Sequence, residues 1–340
     1  MRNQTAIAIA AIVAGLGSTS HAQSLIVVNQ GNATVSIVDP TTFGVSASID
    51  EKRVGKVHAH EAAVSPDGRT AYLPIYGDTG IGLPGIDGDE LLFVDLPTRA
   101  ITGALNFGHG VRPHQAVVDP NSGLLYVTTE IDKRIAVIDP KTRAIVGSVP
   151  TGADNSHMMV LSHDGRLGYT ANVKPGSVSV LDMAGRKTLA VIPVADVVQR
   201  IAISADDRLV FTSDNTRPRL AVIDTATRSV RQWVDLPGLS YGAAATKDGR
   251  WLLIAIPSIS AVGVIDLTTL KVARTIPVGD APQEILIQPD GRVAYVSCAR
   301  SGSVSAIDLA TWTVVRQIPT ASGADGLAWA SRQSARVSGK

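Results

Sequence analysis

The sequence predicts an all-β protein: a seven-bladed β-propeller of four-stranded antiparallel blades, whose ring is closed by a C-terminal strand that completes the N-terminal blade. Three observations predict this fold: a short hydrophobic run ends in aspartate seven times, an Asp-Gly type of turn recurs between the runs, and the first repeat lacks a strand. Repeats of this kind are stable only when neighbouring copies bury each other's faces.

The strand-ending aspartates set the period. They are separated by 56, 44, 43, 42, 42 and 42 residues, and they are Asp39, Asp95, Asp139, Asp182, Asp224, Asp266 and Asp308. Because a carboxylate after a strand commonly accepts backbone N–H groups of the next turn, we expect these residues to serve the scaffold and assign them no chemistry.

The repeat from Gln283 to Ile318 shows the four elements of a blade. Its predicted strands are Glu284 to Ile287, Val293 to Ser297, Val304 to Asp308 and Thr313 to Ile318. Asp290-Gly291 forms the turn between the first two, since glycine adopts positive φ and aspartate binds its own backbone. Related turns lie at 65–69, 162–166 and 246–250, with weaker forms at 119–123 and 204–208.

The two ends of the chain complete each other. Residues 24–50 contain only the second, third and fourth strands of a repeat, whereas Gly326 to Ala330 reads as a first strand. One composite blade and six complete blades make seven, and pairing the ends removes the free edges of an open array.

The second strands carry a recognisable motif. It reads Tyr126-Val127-Thr128-Thr129, Tyr169-Thr170-Ala171-Asn172 and Tyr295-Val296-Ser297-Cys298, with the third strand Ile135-Ala136-Val137-Ile138-Asp139. In these motifs the sequence resembles the YVTN-type seven-bladed β-propeller repeat family over nearly its whole mature length. The resemblance implies the fold; family members include non-enzymatic periplasmic and surface proteins, and related propellers are subunits of periplasmic amine dehydrogenases. It implies no active-site motif.

The N-terminal residues predict export. Arg2 precedes the uncharged run Ala6 to Leu16, and Ser20-His21-Ala22 is a small-x-small cleavage signal. We therefore predict a signal peptide at 1–22, a single propeller domain at 23–331, a disordered tail at 332–340 and a periplasmic location. No later apolar run is long enough for a transmembrane anchor.

The composition limits the classes of partner that are expected. Without Arg2, 30 basic residues face 30 acidic residues, which does not favour nucleic acid as a partner. Cys298 is the single cysteine, so no internal disulfide is expected, and its position in a strand predicts a buried, inert thiol. We expect a monomer.

The copies differ most at the position five residues before Ser65, the first residue of the turn at 65–69, and before its equivalents in the other repeats. It holds His60, His114, His157, Gln199, Tyr241, Gln283 and Asp325. First strands line the central channel of a propeller, so the histidines of three consecutive blades should meet at its top mouth. Imidazole is a common ligand of transition metals, and three ligands leave an open position. We predict that His60, His114 and His157 bind copper, zinc or iron.

We predict further residues at the same mouth. Candidates for a fourth ligand, or for orienting a histidine, are His58, His109, Glu61 and Glu284. Candidates for contacting a bound ligand are Arg200, Tyr241, Gln199 and Asp325, where Arg200 either grips an anion or forms an ion pair. No catalytic residue is assigned. The alternative is that the mouth histidines only bind loop carbonyls and water. His163 lies in a bottom turn and is expected to be solvated.

The long interval of the second blade marks an insertion from Tyr76 to Glu90, rich in glycine. It should open on the same face as the histidines, either as a lid over the channel or as an unconstrained surface loop. Asp87-Gly88-Asp89-Glu90 suggests calcium, although the twelve-residue spacing of a calcium loop is absent.

Three functions remain open from sequence. The first is a periplasmic metal-binding propeller with redox or hydrolytic activity on a small substrate. The second is a non-enzymatic scaffold that recognises a protein or small molecule through its top-face loops. The third is a metal-independent lyase or lactonase with a histidine base.

Overall fold

The computed structural model describes residues 23–51 and 57–331. The predicted signal peptide at 1–22 and the predicted tail at 332–340 lie outside these residues. Within them, seven antiparallel sheets form the blades of a β-propeller, which confirms the predicted fold class.

The strands are numbered in chain order, and each blade runs from the channel outward. Blade 1 contains β29 (Ala324–Ala330), β1 (Ser24–Asn29), β2 (Thr34–Asp39) and β3 (Gly44–Asp50). Blade 2 contains β4 (His58–Ala59), β5 (Ala63–Val64), β6 (Thr70–Gly77), β7 (Asp87–Asp95) and β8 (Ala100–Asn106). Blade 3 contains β9 (Pro113–Val118), β10 (Leu125–Thr129), β11 (Arg134–Asp139) and β12 (Ala144–Pro150). Blade 4 contains β13 (Ser156–Leu161), β14 (Leu167–Asn172), β15 (Ser177–Asp182) and β16 (Lys187–Pro193).

The remaining blades follow the same pattern. Blade 5 contains β17 (Val198–Ile203), β18 (Leu209–Asp214), β19 (Arg219–Asp224) and β20 (Ser229–Asp235). Blade 6 contains β21 (Ala243–Ala245), β22 (Trp251–Ile256), β23 (Ala261–Asp266) and β24 (Lys271–Pro277). Blade 7 contains β25 (Pro282–Ile287), β26 (Val293–Cys298), β27 (Ser303–Asp308) and β28 (Thr313–Pro319). Two single-turn 3-10 helices, Gln30–Asn32 and Pro257–Ile259, connect strands.

Ring closure occurs as predicted. β29 pairs antiparallel with β1, with Ser24 opposite Ala330 and Ile26 opposite Ala328. The closing strand begins at Ala324, two residues before the predicted start. The sheet therefore joins the two ends of the propeller domain and leaves β1 no free edge.

Blade 2 departs from the repeat. Its first strand is broken into β4 and β5, so His60 lies between two short strands. The hairpin of β6 and β7 extends to the pair Gly77 and Asp87, which reduces the predicted insertion to a loop at 78–86.

The turns between third and fourth strands confirm the role expected for the aspartates. In blade 7, Asp308 Oδ1 accepts the N–H groups of Ala310 at 2.8 Å and Thr311 at 2.9 Å. Equivalent bonds form at Asp39, Asp95, Asp139, Asp182, Asp224 and Asp266. Each turn then ends in a left-handed residue with φ between 51° and 59°: Phe43, Arg99, Arg143, Arg186, Arg228, Leu270 and Trp312. This is the geometry of a type I turn followed by a bulge.

The core lies between blades. In the described residues, seven clusters of buried side chains each join two neighbouring blades. Between blades 1 and 2, for example, Ile26 and Val28 pack with Leu73 and Ile75. Cys298 is fully buried in one such cluster, and burial raises the pKa of its thiol, as expected of an inert cysteine. No helix of the described chain is long and apolar enough to cross a membrane.

Removing the closing strand should destabilise the whole ring. A chain ending at Thr320 loses β29, exposes the edge of β1 and loses the buried contacts of Ala324 and Leu327. We expect its Tm to fall by roughly 10 °C or more, with self-association on size-exclusion chromatography. A chain ending at Ser331 is the control and should keep the Tm of the full chain. Equal Tm values for the two truncated chains would contradict a closed ring.

Candidate functional site

The histidines of blades 2, 3 and 4 lie together at the channel mouth. The ring centroids of His60 and His114 are 5.3 Å apart, and those of His114 and His157 are 3.5 Å apart. His58 stacks on His60 at 5.1 Å. The position shared in the repeat thus brings three imidazoles into contact, although the residues are 43 or more positions apart in the chain. Their role as ligands stays a prediction.

Two residues that the sequence reasoning missed complete this group. Tyr76 Oη donates a hydrogen bond of 2.7 Å to Glu130 Oε2, and the same oxygen is 3.8 Å from His157 Nδ1. The ring of Tyr76 lies 4.7 Å from that of His60 and 5.1 Å from that of His114. Tyr76 and Glu130 occupy the same repeat position. Each lies four residues after the tyrosine of its second strand, Tyr72 or Tyr126. Comparing that position across blades would have identified both.

Burial keeps the imidazoles neutral. Burial lowers the pKa of His60 and of His114 well below the ordinary value, and neighbouring histidines and Arg200 add to the effect. Burial also lowers the pKa of His157, against the opposing influence of Glu130. Neutral imidazole is the form that binds a metal ion.

Several polar atoms of this group have no hydrogen-bond partner within the described residues. They are Nδ1 of His114, Nδ1 of His157 and Oε1 of Glu130. All three side chains are buried. A buried polar atom without a partner costs about 1–3 kcal/mol, so an unfilled set of this kind points to a missing ligand, ion or water.

The donors are suitable for a transition metal, but the rings are not arranged around one. Among residues 23–51 and 57–331, no group of three or more histidine, cysteine, aspartate or glutamate side chains is placed to hold an ion. The rings of His114 and His157 instead lie nearly face to face, with 32° between their planes. Binding an ion would require rotation of these rings about their side-chain bonds.

The other side of the mouth is organised by Arg200. This buried guanidinium forms ion pairs with Glu61 and, at 2.9 Å, with Asp325, and lies 4.6 Å from the ring centroid of Tyr241. Gln30 also binds Asp325. Of the two roles considered for Arg200, the structure thus shows the ion pair.

Glu61 and Glu284, which were predicted to serve the histidines, therefore belong to this second group. Glu61 pairs with Arg200, and Glu284 Oε2 accepts the N–H of Leu327 at 2.6 Å. Burial raises the pKa of Glu61 well above its ordinary value, raises that of Glu284, and raises that of Asp325 to about 7. A buried guanidinium attracts the nearest carboxylates because each charge is costly alone, which explains why neither glutamate orients a histidine.

The remaining candidates divide between the mouth and the surface. Gln199 Nε2 lies 3.3 Å from His157 Nε2, which places this amide beside the histidine group. His109 is outside it: its side chain is 60% exposed and its Nε2 is 2.9 Å from Asp132 Oδ1. His163 is also exposed and contacts Asp207, as expected for a bottom turn.

The blade 2 loop is fastened beside the histidine group by Arg112. This buried guanidinium donates to the carbonyl oxygens of Gly80 at 2.9 Å and Leu83 at 2.8 Å, and pairs with Asp87. It also lies 5.5 Å from the ring centroid of Tyr76. The loop at 78–86 is therefore constrained, which contradicts the alternative of an unconstrained loop.

A cavity of about 450 Å³ lies between this loop and blade 3, lined in part by Pro84, Arg112 and Glu130. Through Glu130, this cavity adjoins the histidine group. The carboxylates proposed for calcium are engaged elsewhere: Asp87 with Arg112, and Asp89 with Asn106 at 2.9 Å. They do not form a calcium loop.

Comparison with known proteins supports the propeller fold. The family described as "Cytochrome D1 heme domain" matches residues 120–243, somewhat more than a third of the chain. No curated protein matches the sequence significantly.

Similar solved structures include the following three. "Dihydro-heme d1 dehydrogenase NirN in complex with DHE" has a TM-score of 0.64 at 15% identity, over 89% of this chain and 74% of that one. A functionally unknown protein from Desulfotomaculum acetoxidans has a TM-score of 0.73 at 11% identity, over 91% and 99%. Kuenenia stuttgartiensis hydrazine synthase has a TM-score of 0.50 at 18% identity, over 74% and 96%. At these identities the likeness shows the fold alone.

Replacing Arg112 should release the loop. The variant Arg112→Ala removes the donors to Gly80 and Leu83, so we expect thermolysin to cleave within 78–86 at least about tenfold faster. Arg134→Ala, which removes an exposed arginine of the same blade, is the control. Unchanged cleavage in Arg112→Ala would show that the loop is held by other contacts.

The raised pKa of Asp325 predicts a pH-dependent stability. The folded protein keeps this proton up to about pH 7, whereas the unfolded chain releases it near pH 3.8. Raising the pH between these values therefore favours unfolding. In Asp325→Asn the side chain stays neutral, so the Tm of the variant minus that of the parent should grow from about pH 4 to pH 7 and then level off.

The replacement Asp196→Asn at an exposed position controls for the change in net charge. The difference in Tm between this variant and the parent should not grow from pH 4 to pH 7. Differential scanning calorimetry over this pH range measures both. A difference that shrinks with rising pH would contradict the assignment.

Proposed function

We propose that this protein is a periplasmic metal-binding propeller in which His60, His114 and His157 hold one transition-metal ion. The observation that carries the proposal is the contact of three neutral imidazoles, two of which, those of His114 and His157, are buried with Nδ1 atoms that lack a hydrogen-bond partner in the described residues. Three histidine ligands suit copper, zinc or iron and leave a position for water or a small substrate. Export through the predicted signal peptide and membership of the YVTN-type family belong to the same proposal.

Glu130 is the best candidate for a further donor. Its Oε1 is buried without a hydrogen-bond partner in the described chain, while its Oε2 accepts the proton of Tyr76. Burial raises the pKa of Glu130, but the proximity of His157, the hydrogen bond from Tyr76 and the positive charge of Arg112 outweigh it, so the net pKa is lowered and the carboxylate is ionised. Tyr76 thereby holds an anionic oxygen beside His157.

Each part of the mouth has a definite role in this proposal. A bound ion would supply Lewis acidity or a redox centre. The chain orients the donors through Tyr76 and Gln199 and limits the access of water with the loop that Arg112 holds. The cavity of about 450 Å³ beside Glu130 gives a small substrate its route to the mouth.

Metal analysis tests the proposal. We expect untagged protein, purified without chelator and dialysed, to carry about one transition-metal ion per chain by inductively coupled plasma mass spectrometry. The triple variant His60→Ala, His114→Ala, His157→Ala should lose it, whereas His163→Ala should retain it. Adding the metal should raise the Tm of the parent but not of the triple variant.

A second candidate is haem-related binding. It is favoured by the match to the cytochrome D1 haem domain family, which includes His157 and Glu130, and by the likeness to a structure described as a complex of a dihydro-heme d1 dehydrogenase. Imidazole is an axial ligand of haem iron. His60, the most exposed of the three histidines, is the residue that a macrocycle lying on the rim would meet first.

Optical spectroscopy separates the two candidates. A Soret absorption band in purified or haem-reconstituted protein, lost in His60→Ala, favours the haem; stoichiometric metal without that band favours the bare ion. Absence of both leaves a recognition scaffold as the better function. Hydrolytic or elimination activity that survives chelation would instead indicate a lyase or lactonase.

A further inference from the structure

A second candidate site lies far from the histidines, between blades 6 and 7. Here a cavity of about 940 Å³ is lined by two tryptophans and by four basic side chains: Trp251, Trp312, Lys247, Arg250, Arg274 and Arg292. Second strands end at the histidine mouth, as β6 and β10 show, and Trp251 is the first residue of β22. The groove therefore opens on the opposite face of the ring.

The aromatic and cationic groups form one stacked unit. The rings of Trp251 and Trp312 meet edge to face with centroids 5.5 Å apart. Arg274 lies 5.0 Å from the centroid of Trp312 and 5.8 Å from that of Trp251, while Arg250 lies 4.7 Å from Trp251. Stacking fixes the plane of each guanidinium and leaves its in-plane N–H donors available for planar acceptors such as carboxylates.

Nearby carboxylates form no salt bridge with Arg250 or Arg274 in the described residues, although Arg250 lies close enough to Asp248 and Asp266 to interact with their charges. Asp248 Oδ1 accepts the hydroxyl of Thr246 at 2.5 Å and the backbone N–H of Arg250 at 3.1 Å, and Asp308 Oδ1 caps its own turn. In the described part of the chain, neither Arg250 nor Arg274 has a salt bridge within 4.0 Å. Within the described residues, two guanidinium groups thus line the groove without a salt bridge to a carboxylate.

The equivalent positions of other blades are arranged differently. Arg143, at the left-handed turn position, donates to Thr102 O of the preceding blade at 2.9 Å, and Arg186 donates to Val146 O at 3.2 Å. These arginines lie over Gly103 and Gly147. Between blades 6 and 7 the two residue types are exchanged: Trp312 occupies the turn and Arg274 takes the place of the glycine.

The exchange changes which hydrogen-bond donors are available in the groove between the blades. In blades 3 and 4 the arginine donors are consumed by backbone carbonyl oxygens of the neighbouring blade. In blade 6 the guanidinium of Arg274 packs against the ring of Trp312 instead, so its N–H donors are not consumed by a backbone carbonyl oxygen. Because this departure from the repeat leaves charged donors available, it indicates a binding surface and not only a structural contact between blades.

We propose that this groove docks an acidic polypeptide segment of a partner protein. The guanidinium groups match carboxylates, and Ile287, Leu309 and the tryptophan edges form an apolar floor for a side chain between two acids. The tryptophan faces are already covered by arginine, which disfavours stacking of a sugar.

Fluorescence anisotropy tests the proposal with a fluorescein-labelled octapeptide of alternating glutamate and leucine. We expect saturable binding by the mature chain that weakens with salt, and none for peptides with glutamine or lysine in place of glutamate. The double variant Arg250→Gln, Arg274→Gln should weaken binding at least about tenfold. Arg166→Gln, Arg208→Gln, which makes the same charge change at the equivalent turns of blades 4 and 5, should change the Kd less than about twofold.

The aromatic support has its own test. Trp312→Leu places at the turn the residue type that blade 6 carries at Leu270, in the same left-handed conformation, so the fold should be retained. We expect weaker peptide binding at an unchanged circular dichroism spectrum. The triple histidine variant should bind the peptide like the parent, which separates this inference from the proposed metal site.

The outcomes that overturn the inference are definite. They are absence of saturable binding by the parent chain, an equal loss in the Arg166, Arg208 control, and stronger competition by heparin or dextran sulfate than by poly-L-glutamate. The last result would assign the groove to an acidic glycan instead of a polypeptide.

Discussion

The pairing of β29 with β1 is the interaction on which the remaining structure depends. Each blade buries its faces only against its two neighbours, so an open array would leave two unpaired edges and two exposed apolar faces. Closure removes both and fixes the orientation of every first strand toward one axis. Residues that are far apart in the chain, such as Gln30 and Asp325, can then bind each other across the junction. The same closure brings the histidines of blades 2, 3 and 4 into ring contact.

The period of the sequence predicts the fold and the height of each residue along the channel, because both follow from a repeated strand pattern. It therefore predicts that His60, His114 and His157 are neighbours, and their rings are in contact. It could not predict which partner each side chain reaches. Glu61 and Glu284 lie at the predicted height but serve Arg200, since a buried guanidinium competes for carboxylates across the channel. Arg112 was missed for a related reason: its partners belong to an insertion that has no counterpart in the other blades.

The mouth combines two electrostatic environments. On the side of blades 2 to 4, burial favours neutral imidazoles, and the carboxylate of Glu130 is stabilised by His157, Tyr76 and the charge of Arg112. On the other side, one guanidinium faces Glu61, Glu284 and Asp325, whose pKa values are all raised by burial. Holding protons on part of this acidic group reduces the excess negative charge that a single arginine cannot balance. The positive charge of Arg200 in turn disfavours protonation of the histidines, so the two halves reinforce each other.

The left-handed turn positions show how the repeat accommodates a second specialised surface. A non-glycine residue in this conformation costs roughly 1–2 kcal/mol, and the described blades all accept it at the end of the turn that the aspartate caps. Glycine would remove the strain, yet it would also remove the side chain that crosses to the neighbouring blade. In blades 3 and 4 that side chain is an arginine bound to a carbonyl oxygen. In blade 7 it is Trp312, which supports Arg274. Because blades contact only their neighbours, this exchange leaves the histidine mouth on the other side of the ring unaltered, and the two surfaces can vary independently.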